Sequence, residues 1–345
     1  MFFASDNSGP AHPSVMEALV AANAGYAMGY GADTITARAI ELIRDAFEAP
    51  EAEVFFVATG TAANALALAT ICAPFATVFC AEMAHIHADE CNAPEFYSGG
   101  AKLTLVPAPD GKMTPDGLRQ RIAGEETRGV HGPLRGPVSF TNVTELGTVY
   151  TAAELGALTQ VARDFGLPTH LDGARLAGAL VATGASAADM TWRAGVDVLS
   201  FGGTKNGLLG AEAVVFFDPE LARGFAHRRK RGGHLFSKHR YLAAQMAAYM
   251  EGDLWLDLAA RANAANSMLV NGLREKGAAF AHAPQANLSF VTLPRATHQR
   301  LFDAGASYHL WEASLEGDKD EQITARLVTD WSTNEAAIRA FLALL

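Results

Sequence analysis

Short apolar runs alternate with longer amphipathic stretches along most of this chain, and that alternation restricts its fold more than any other feature. The runs Glu53–Ala58, Thr77–Cys80, Lys102–Val106, Pro137–Asn142, Thr169–Leu171, Val196–Phe201 and Ala213–Phe217 read as strands. Between them, stretches such as Thr61–Ile71, Ala152–Phe165 and Ser186–Ala194 read as helices. Strands that are apolar on both faces need cover on both sides, and parallel strands need a crossover long enough to hold a helix. The pattern therefore predicts an α/β protein whose large domain is a mostly parallel seven-stranded sheet with helices on both faces.

A basic segment, Arg223–Arg240, leads into a long helical run, Tyr241–Lys276. The remainder, Phe280–Leu345, reads as two or three strands and two helices. The expected organisation is an N-terminal arm over 1–14, a large domain over 15–245 and a small C-terminal α+β domain over 246–345. Half of the 345 residues are apolar, enough for a substantial core, whereas only 19% are charged, which suggests surface buried between subunits. The net charge of −10, with no basic stripe, argues against nucleic acid or an anionic membrane as a partner. No signal-peptide pattern opens the chain and no apolar run approaches ~18 residues, so a cytoplasmic protein is expected. Cys72, Cys80 and Cys91 form no CxxC pair and read as free, buried thiols.

Three strand ends carry chemistry. In Val196-Asp197-Val198-Leu199-Ser200-Phe201-Gly202-Gly203-Thr204-Lys205-Asn206-Gly207, a lysine is wedged between two buried-strand patterns. It reads either as a hairpin-tip lysine in solvent or as a cleft lysine whose amine, desolvated, can attack a carbonyl. In His170-Leu171-Asp172-Gly173-Ala174-Arg175, an aspartate closes a short strand, at the edge where open α/β sheets bind ligands. Asp172 reads either as a structural partner of Arg175 or a helix cap, or as a carboxylate facing a cofactor ring nitrogen. In Thr59-Gly60-Thr61-Ala62-Ala63-Asn64, a glycine turn and hydroxyl residue open a helix, making a cap or an anion cradle of free amides.

Cradle, aspartate and lysine in that order resemble the aspartate-aminotransferase-like enzymes that use pyridoxal 5′-phosphate (PLP) on fold type I. The motifs H-x-D-G-A-R and S-F-G-G-T-K-N-G are more narrowly similar to the low-specificity L-threonine aldolases. The resemblance runs from Ala4-Ser5-Asp6-Asn7 through Tyr30-Gly31 to Arg326. The stretches Ala84-His85-Ile86 through Asp89-Glu90-Cys91 and Thr144-Glu145-Leu146-Gly147-Thr148-Val149-Tyr150 point to the bacterial branch of that family.

The resemblance implies PLP held as a Schiff base on Lys205, Asp172 at the ring nitrogen, His85 stacked on the ring, and Gly60 and Thr61 at the phosphate. It places Arg175 at the cofactor's phenolate oxygen or the substrate, Ser5 and Arg326 at the substrate carboxylate, and Tyr30 in the pocket wall. Lys238 becomes the candidate that reaches a neighbouring subunit's phosphate, in a homodimer or homotetramer with shared sites. The implied reaction is retro-aldol cleavage of L-threonine, L-allo-threonine and related β-hydroxy-α-amino acids to glycine and an aldehyde, with Lys205, His85 and Asp172 as the catalytic set. One departure stands out. Asn142-Val143-Thr144 replaces an Asn-Thr-His of many family members, so a second histidine near the substrate hydroxyl is missing. Thr144 takes that position as a substrate contact, and His85 is left as the one histidine matched to the site. The same fold also serves PLP-dependent β-eliminating lyases and aminotransferases, or a binding protein without turnover. No His/Glu cluster has metal-ligand spacing, so no metal is expected.

Overall fold

In the computed structural model, which describes residues 1–345, the seven predicted strand runs form one sheet. They are β1 (Glu53–Val57), β2 (Ala76–Ala81), β3 (Lys102–Val106), β4 (Leu134–Thr141), β5 (Thr169–Gly173), β6 (Val198–Gly202) and β7 (Glu212–Phe216). The sheet order is β1-β7-β6-β5-β4-β2-β3. The pairs β2–β3, β2–β4, β4–β5 and β5–β6 are parallel, while β7 runs antiparallel to both β1 and β6. Every residue of β2, β5, β6 and β7 is buried, as expected for strands covered on both faces. The helix Gly60–Ile71 shows why no one-sided pattern marks it: eight consecutive residues, Ala62 to Ala69, are buried.

A second sheet lies in the C-terminal part, with strands β8 (Ala279–Phe280), β9 (Leu288–Pro294), β10 (His309–Leu310) and β11 (Gln322–Val328) in the order β10-β11-β9-β8, all antiparallel. It has four strands rather than two or three, because two of them are only two residues long. Helices Arg295–Asp303 and Glu335–Leu342 complete the predicted pair. The N-terminal arm is tied to this part: Phe2 bridges Ser307, and the fully buried Phe3 packs edge-on against Phe341.

Three local expectations change. Ser186–Ala194 is a run of turns ending in a short 3-10 turn at Trp192–Ala194. Ala187, Ala188, Met190 and Thr191 are all buried there, and the Thr191 hydroxyl is spent on the Ala187 carbonyl. The run Tyr241–Lys276 is two helices, Arg240–Met250 and Leu254–Glu275, parted where Gly252 and Asp253 take left-handed backbone angles. Cys72 and Cys80 are buried, but Cys91 is exposed; all three are free thiols. No helix is long and apolar enough to cross a membrane.

Candidate active site

The carboxyl ends of β4, β5 and β6 meet the N-terminus of the helix Gly60–Ile71, and a cavity opens between them. Its walls include Gly60, Thr61, His85, Asp172, Arg175 and Lys205, six of the residues singled out in the sequence. Its position, at the carboxyl ends of neighbouring strands, is where such sheets bind small organic ligands.

Lys205 sits in the 3-10 turn Thr204–Asn206 just beyond β6. Two glycines make that approach possible. A Cβ on Gly202 would come within 2.5 Å of the Ala174 carbonyl oxygen, so only glycine lets the end of β6 lie against the Asp172–Arg175 segment. Gly207, at φ +97°, then turns the chain back into β7. Burial, and after it the Arg175 guanidinium, lowers the Lys205 pKa below the ordinary lysine range, while Asp6 and Asp172 act the other way. Lys205 thus lines the cavity rather than a solvated hairpin tip.

Asp172 is buried, and both its oxygens are occupied. Oδ1 accepts the Ala174 N–H at 3.0 Å, and Oδ2 accepts from Asn64 Nδ2 at 2.7 Å. It makes no ion pair with Arg175, which instead grips Asp6. Directly behind it, His170 is wholly buried between the Ser139 and Ser200 hydroxyls, each at 2.9 Å, and burial lowers its pKa to about 4. A neutral imidazole thus fixes three neighbouring strands at the depth of Asp172.

His85 opens the short helix His85–Ala88 and is held from two sides. Its Nδ1 lies 2.9 Å from Glu90 Oε1, and its backbone N–H donates to Glu145 Oε1 at 2.7 Å. The Glu90 contact is the largest influence on the ring and raises its pKa against the opposing effect of burial. Asn64 Nδ2 also donates to Glu90 Oε1, at 2.8 Å, so one amide joins the His85 and Asp172 branches.

At the cradle, Ala62 donates its N–H to the Thr59 hydroxyl and Ala63 donates to the Thr59 carbonyl. The Gly60 and Thr61 amides precede these and are left for a ligand at the positive end of the helix. In the C-terminal sheet, Arg326 in β11 has a buried Nε with no partner, and its Nη2 reaches the Ala4 carbonyl at 3.4 Å. Burial, then Arg175, lowers the Arg326 pKa, so an anion beside it would be welcome. Ser5, next to Ala4, caps the turn Asp6–Ser8 by accepting from the Asn7 N–H. PLP fits this donor set: free helix-end amides for a phosphate, a half-buried amine for its carbonyl, and a buried carboxylate for its ring nitrogen.

Five sequence candidates are not among the residues lining the cavity: Ser5 and Arg326, just described, and Thr144, Tyr30 and Lys238. Thr144 is wholly buried and turned outward, its hydroxyl 2.7 Å from that of Thr148, so it closes a turn and does not line the site. Tyr30 is exposed, with Lys230 over its ring at 4.8 Å, and Lys238 is exposed on the segment whose Ser237 carbonyl accepts the Tyr30 N–H. Conversely, Asp6, Asn64, Glu90 and Glu145 were not singled out. All four do fall inside quoted stretches, Asp6 in Ala4–Asn7, Asn64 in Thr59–Asn64, Glu90 in Asp89–Cys91 and Glu145 in Thr144–Tyr150. Nothing local distinguishes Asn64 from a buried helix residue.

The chain matches the model of the beta-eliminating lyase family over residues 3–296. It is similar to a low-specificity L-threonine aldolase of Pseudomonas aeruginosa, 39% identical over 338 residues, covering 98% of this chain and 94% of that one. A second, from a Pseudomonas species, is 38% identical and covers 99% and 96%. Among solved structures, threonine aldolase of Leishmania major superposes with a TM-score of 0.93 at 29% identity, covering 99% and 98%. Serine palmitoyltransferase of Sphingomonas wittichii, with a TM-score of 0.72 at 15% identity and covering 100% and 86%, shares the fold.

Proposed function

From the premise that this chain belongs to the beta-eliminating lyase family, and within it to the low-specificity L-threonine aldolases, we propose that its cavity performs retro-aldol cleavage of L-threonine and L-allo-threonine to glycine and acetaldehyde. The observation that carries the reading is the convergence of a half-buried strand-end lysine, a buried strand-end aspartate and a free helix N-terminus on one cavity.

Bound PLP supplies the sink for the electron pair released at Cα. Lys205 is the point of covalent attachment, as a Schiff base, and its lowered pKa favours the neutral amine that attachment requires. Asp172 keeps a proton on the ring nitrogen; with both oxygens already held, it needs no rearrangement to do so. Gly60 and Thr61 bind the phosphate, and His85 covers the ring. Ser5 and Arg326 take the substrate carboxylate, Arg326 through its unpartnered Nε, while Arg175 and its partner Asp6 set that wall of the site.

The protein works as a homodimer or homotetramer. Supporting this, Tyr26, Met28, Tyr30 and Phe236 are exposed, and the strip that carries the first three is tied to the Ser237–Tyr241 segment by backbone and side-chain bonds. Tyr30 and Lys238 would serve a neighbouring subunit's site from there. The free thiols and the absence of a long apolar helix support a cytoplasmic location.

The test is to incubate PLP-loaded protein with each threonine diastereomer and assay products. Glycine and acetaldehyde in equal amounts are expected. Ammonia with a 2-oxo acid would instead identify β-elimination.

A further inference from the structure

The missing second histidine leaves the proton of the substrate's β-hydroxyl without an acceptor, and the groups around the cavity can be examined in turn. Thr144 faces away and is bonded to Thr148. Asp172 is committed to Asn64 and Ala174. Glu90 Oε1 serves both His85 Nδ1 and Asn64, and its Oε2 is buried out of reach. His85 Nδ1 is directed at Glu90; its Nε2 makes no bond, but the ring is already given to covering the cofactor in the reading above. Glu145 remains. It follows β4 by four residues, is only partly buried, and lines the cavity beside Thr141, Asp172, Arg175 and Lys205.

Given the aldolase reading, on which this rests, the geometry points to Glu145 as the catalytic base that accepts the β-hydroxyl proton. Its carboxylate takes the His85 N–H through Oε1 at 2.7 Å, so the group is anchored to the residue that covers the ring. The step balances. The hydroxyl proton passes to the carboxylate, the Cβ–O bond becomes a carbonyl, and the Cα–Cβ bond breaks with its pair left at Cα. A proton from solvent then closes glycine, and Glu145 returns its own to solvent as the aldehyde leaves.

The charged and titratable groups around Glu145 favour this. Burial, then the Asp172 charge, raises its pKa to about 7, while the His85 backbone and the Thr141 hydroxyl act the other way. Arg175 and Lys205 face it across the cavity, Cys80 and Tyr150 lie behind it, and both of the latter have pKa values raised by burial and secondarily by the Glu145 charge. A base with a midpoint near the working pH is both available and strong enough to pull a hydroxyl proton.

Glu145 also has a plain structural use, as acceptor for the His85 N–H, and the test must separate the two. Glu145→Gln keeps a carbonyl acceptor for that N–H but cannot take up a proton. Two reactions of the holoenzyme are compared: cleavage of L-allo-threonine, and exchange of the glycine Cα proton with D₂O, which involves no hydroxyl. The expected result for E145Q is a ~10²–10⁴-fold loss of kcat in cleavage, loss of the acid limb of its pH profile, and exchange within about tenfold of wild type, the most that weakening one retained neutral hydrogen bond would cost. In the cofactor-free protein, carbon-13 spectra of Glu-labelled wild type should show a carboxyl titrating near pH 7 that is absent from E145Q. Cleavage unchanged in E145Q, equal loss of both reactions, or no such carboxyl overturns the proposal alone. Wild type that exchanges glycine but never cleaves either threonine overturns the aldolase reading, and this proposal with it.

Discussion

Arg175 holds Asp6 in a two-point grip, Nε to Oδ2 at 2.6 Å and Nη2 to Oδ1 at 2.9 Å, joining the N-terminal arm to the segment after β5. The Asp6 side chain is 1% exposed and that of Arg175 is 18%. Burial alone would raise the Asp6 pKa, but the guanidinium outweighs it and keeps the carboxyl below its usual range. Removing one member of such a pair leaves the other charge buried and alone, at a cost of about 3–5 kcal/mol. Asp6→Ala should show that loss in urea unfolding, together with a higher KM, since Ser5 and Arg326 adjoin the same turn. A loss under about 1 kcal/mol, the range of a surface pair, would mean that the arm is not docked in solution.

Lys205→Ala should yield protein without the visible absorbance of bound cofactor. In wild type, borohydride followed by peptide mass mapping should place the label on Lys205. Label on any of the six other lysines would reject the assignment.

Because the hydrogen bond to Glu90 is the main cause of the raised His85 pKa, Glu90→Gln should bring the His85 midpoint down. Asp172 still favours the charged ring, so part of the elevation should persist. Imidazole resonances of the cofactor-free protein, followed against pH, measure this directly; an unmoved midpoint contradicts it.

Thr144→Ala removes two hydrogen bonds to Thr148 in a fully buried turn, one with its hydroxyl and one from its N–H. Stability should fall by about 1–3 kcal/mol, the worth of two neutral hydrogen bonds, while kcat changes little, because the side chain does not line the cavity. A large fall in kcat with stability intact would place Thr144 in the reaction after all.

His170 has a folded-state pKa near 4, below its ordinary 6.5, so the folded protein favours the neutral ring. Its contribution to stability is complete above pH 6.5 and is lost as pH falls from 6.5 toward 4. His170→Gln keeps partners for Ser139 and Ser200 but does not titrate. The stability difference between the two proteins should therefore shift by up to about 3 kcal/mol in favour of the variant between pH 7 and pH 4. Parallel stability curves across that span would be inconsistent with a neutral buried His170.

Lys205, Asp172 and the Gly60–Thr61 cradle were legible in the sequence because each sits where an apolar run stops, and a run's end is a local signal. The order of the seven strands along the chain was legible for the same reason. The stretch Ser186–Ala194 misled because its alanines suit a helix, yet consecutive positions are buried and no single face is apolar. The Gly252–Asp253 break went unread because one glycine in a helical pattern does not say whether it bends the chain.

Asparagine 64 looks like any core residue of its helix until folding brings Glu90 and Asp172 to either side of one amide nitrogen. Thr144 and Glu145 are adjacent, and which of them meets the cavity depends on how the turn after β4 lies against Gly111 and Thr148. The sequence by itself determined the strands, their ends and the chemistry offered at those ends, since hydrophobic periodicity and turn residues act over a few neighbours. The tertiary structure alone decided the partners: Asp6 for Arg175, Glu90 for His85, and the cavity for Glu145. Those choices follow from strand order and crossover packing, which bring together residues far apart in the chain and bury them where every charge must find an opposite or a proton.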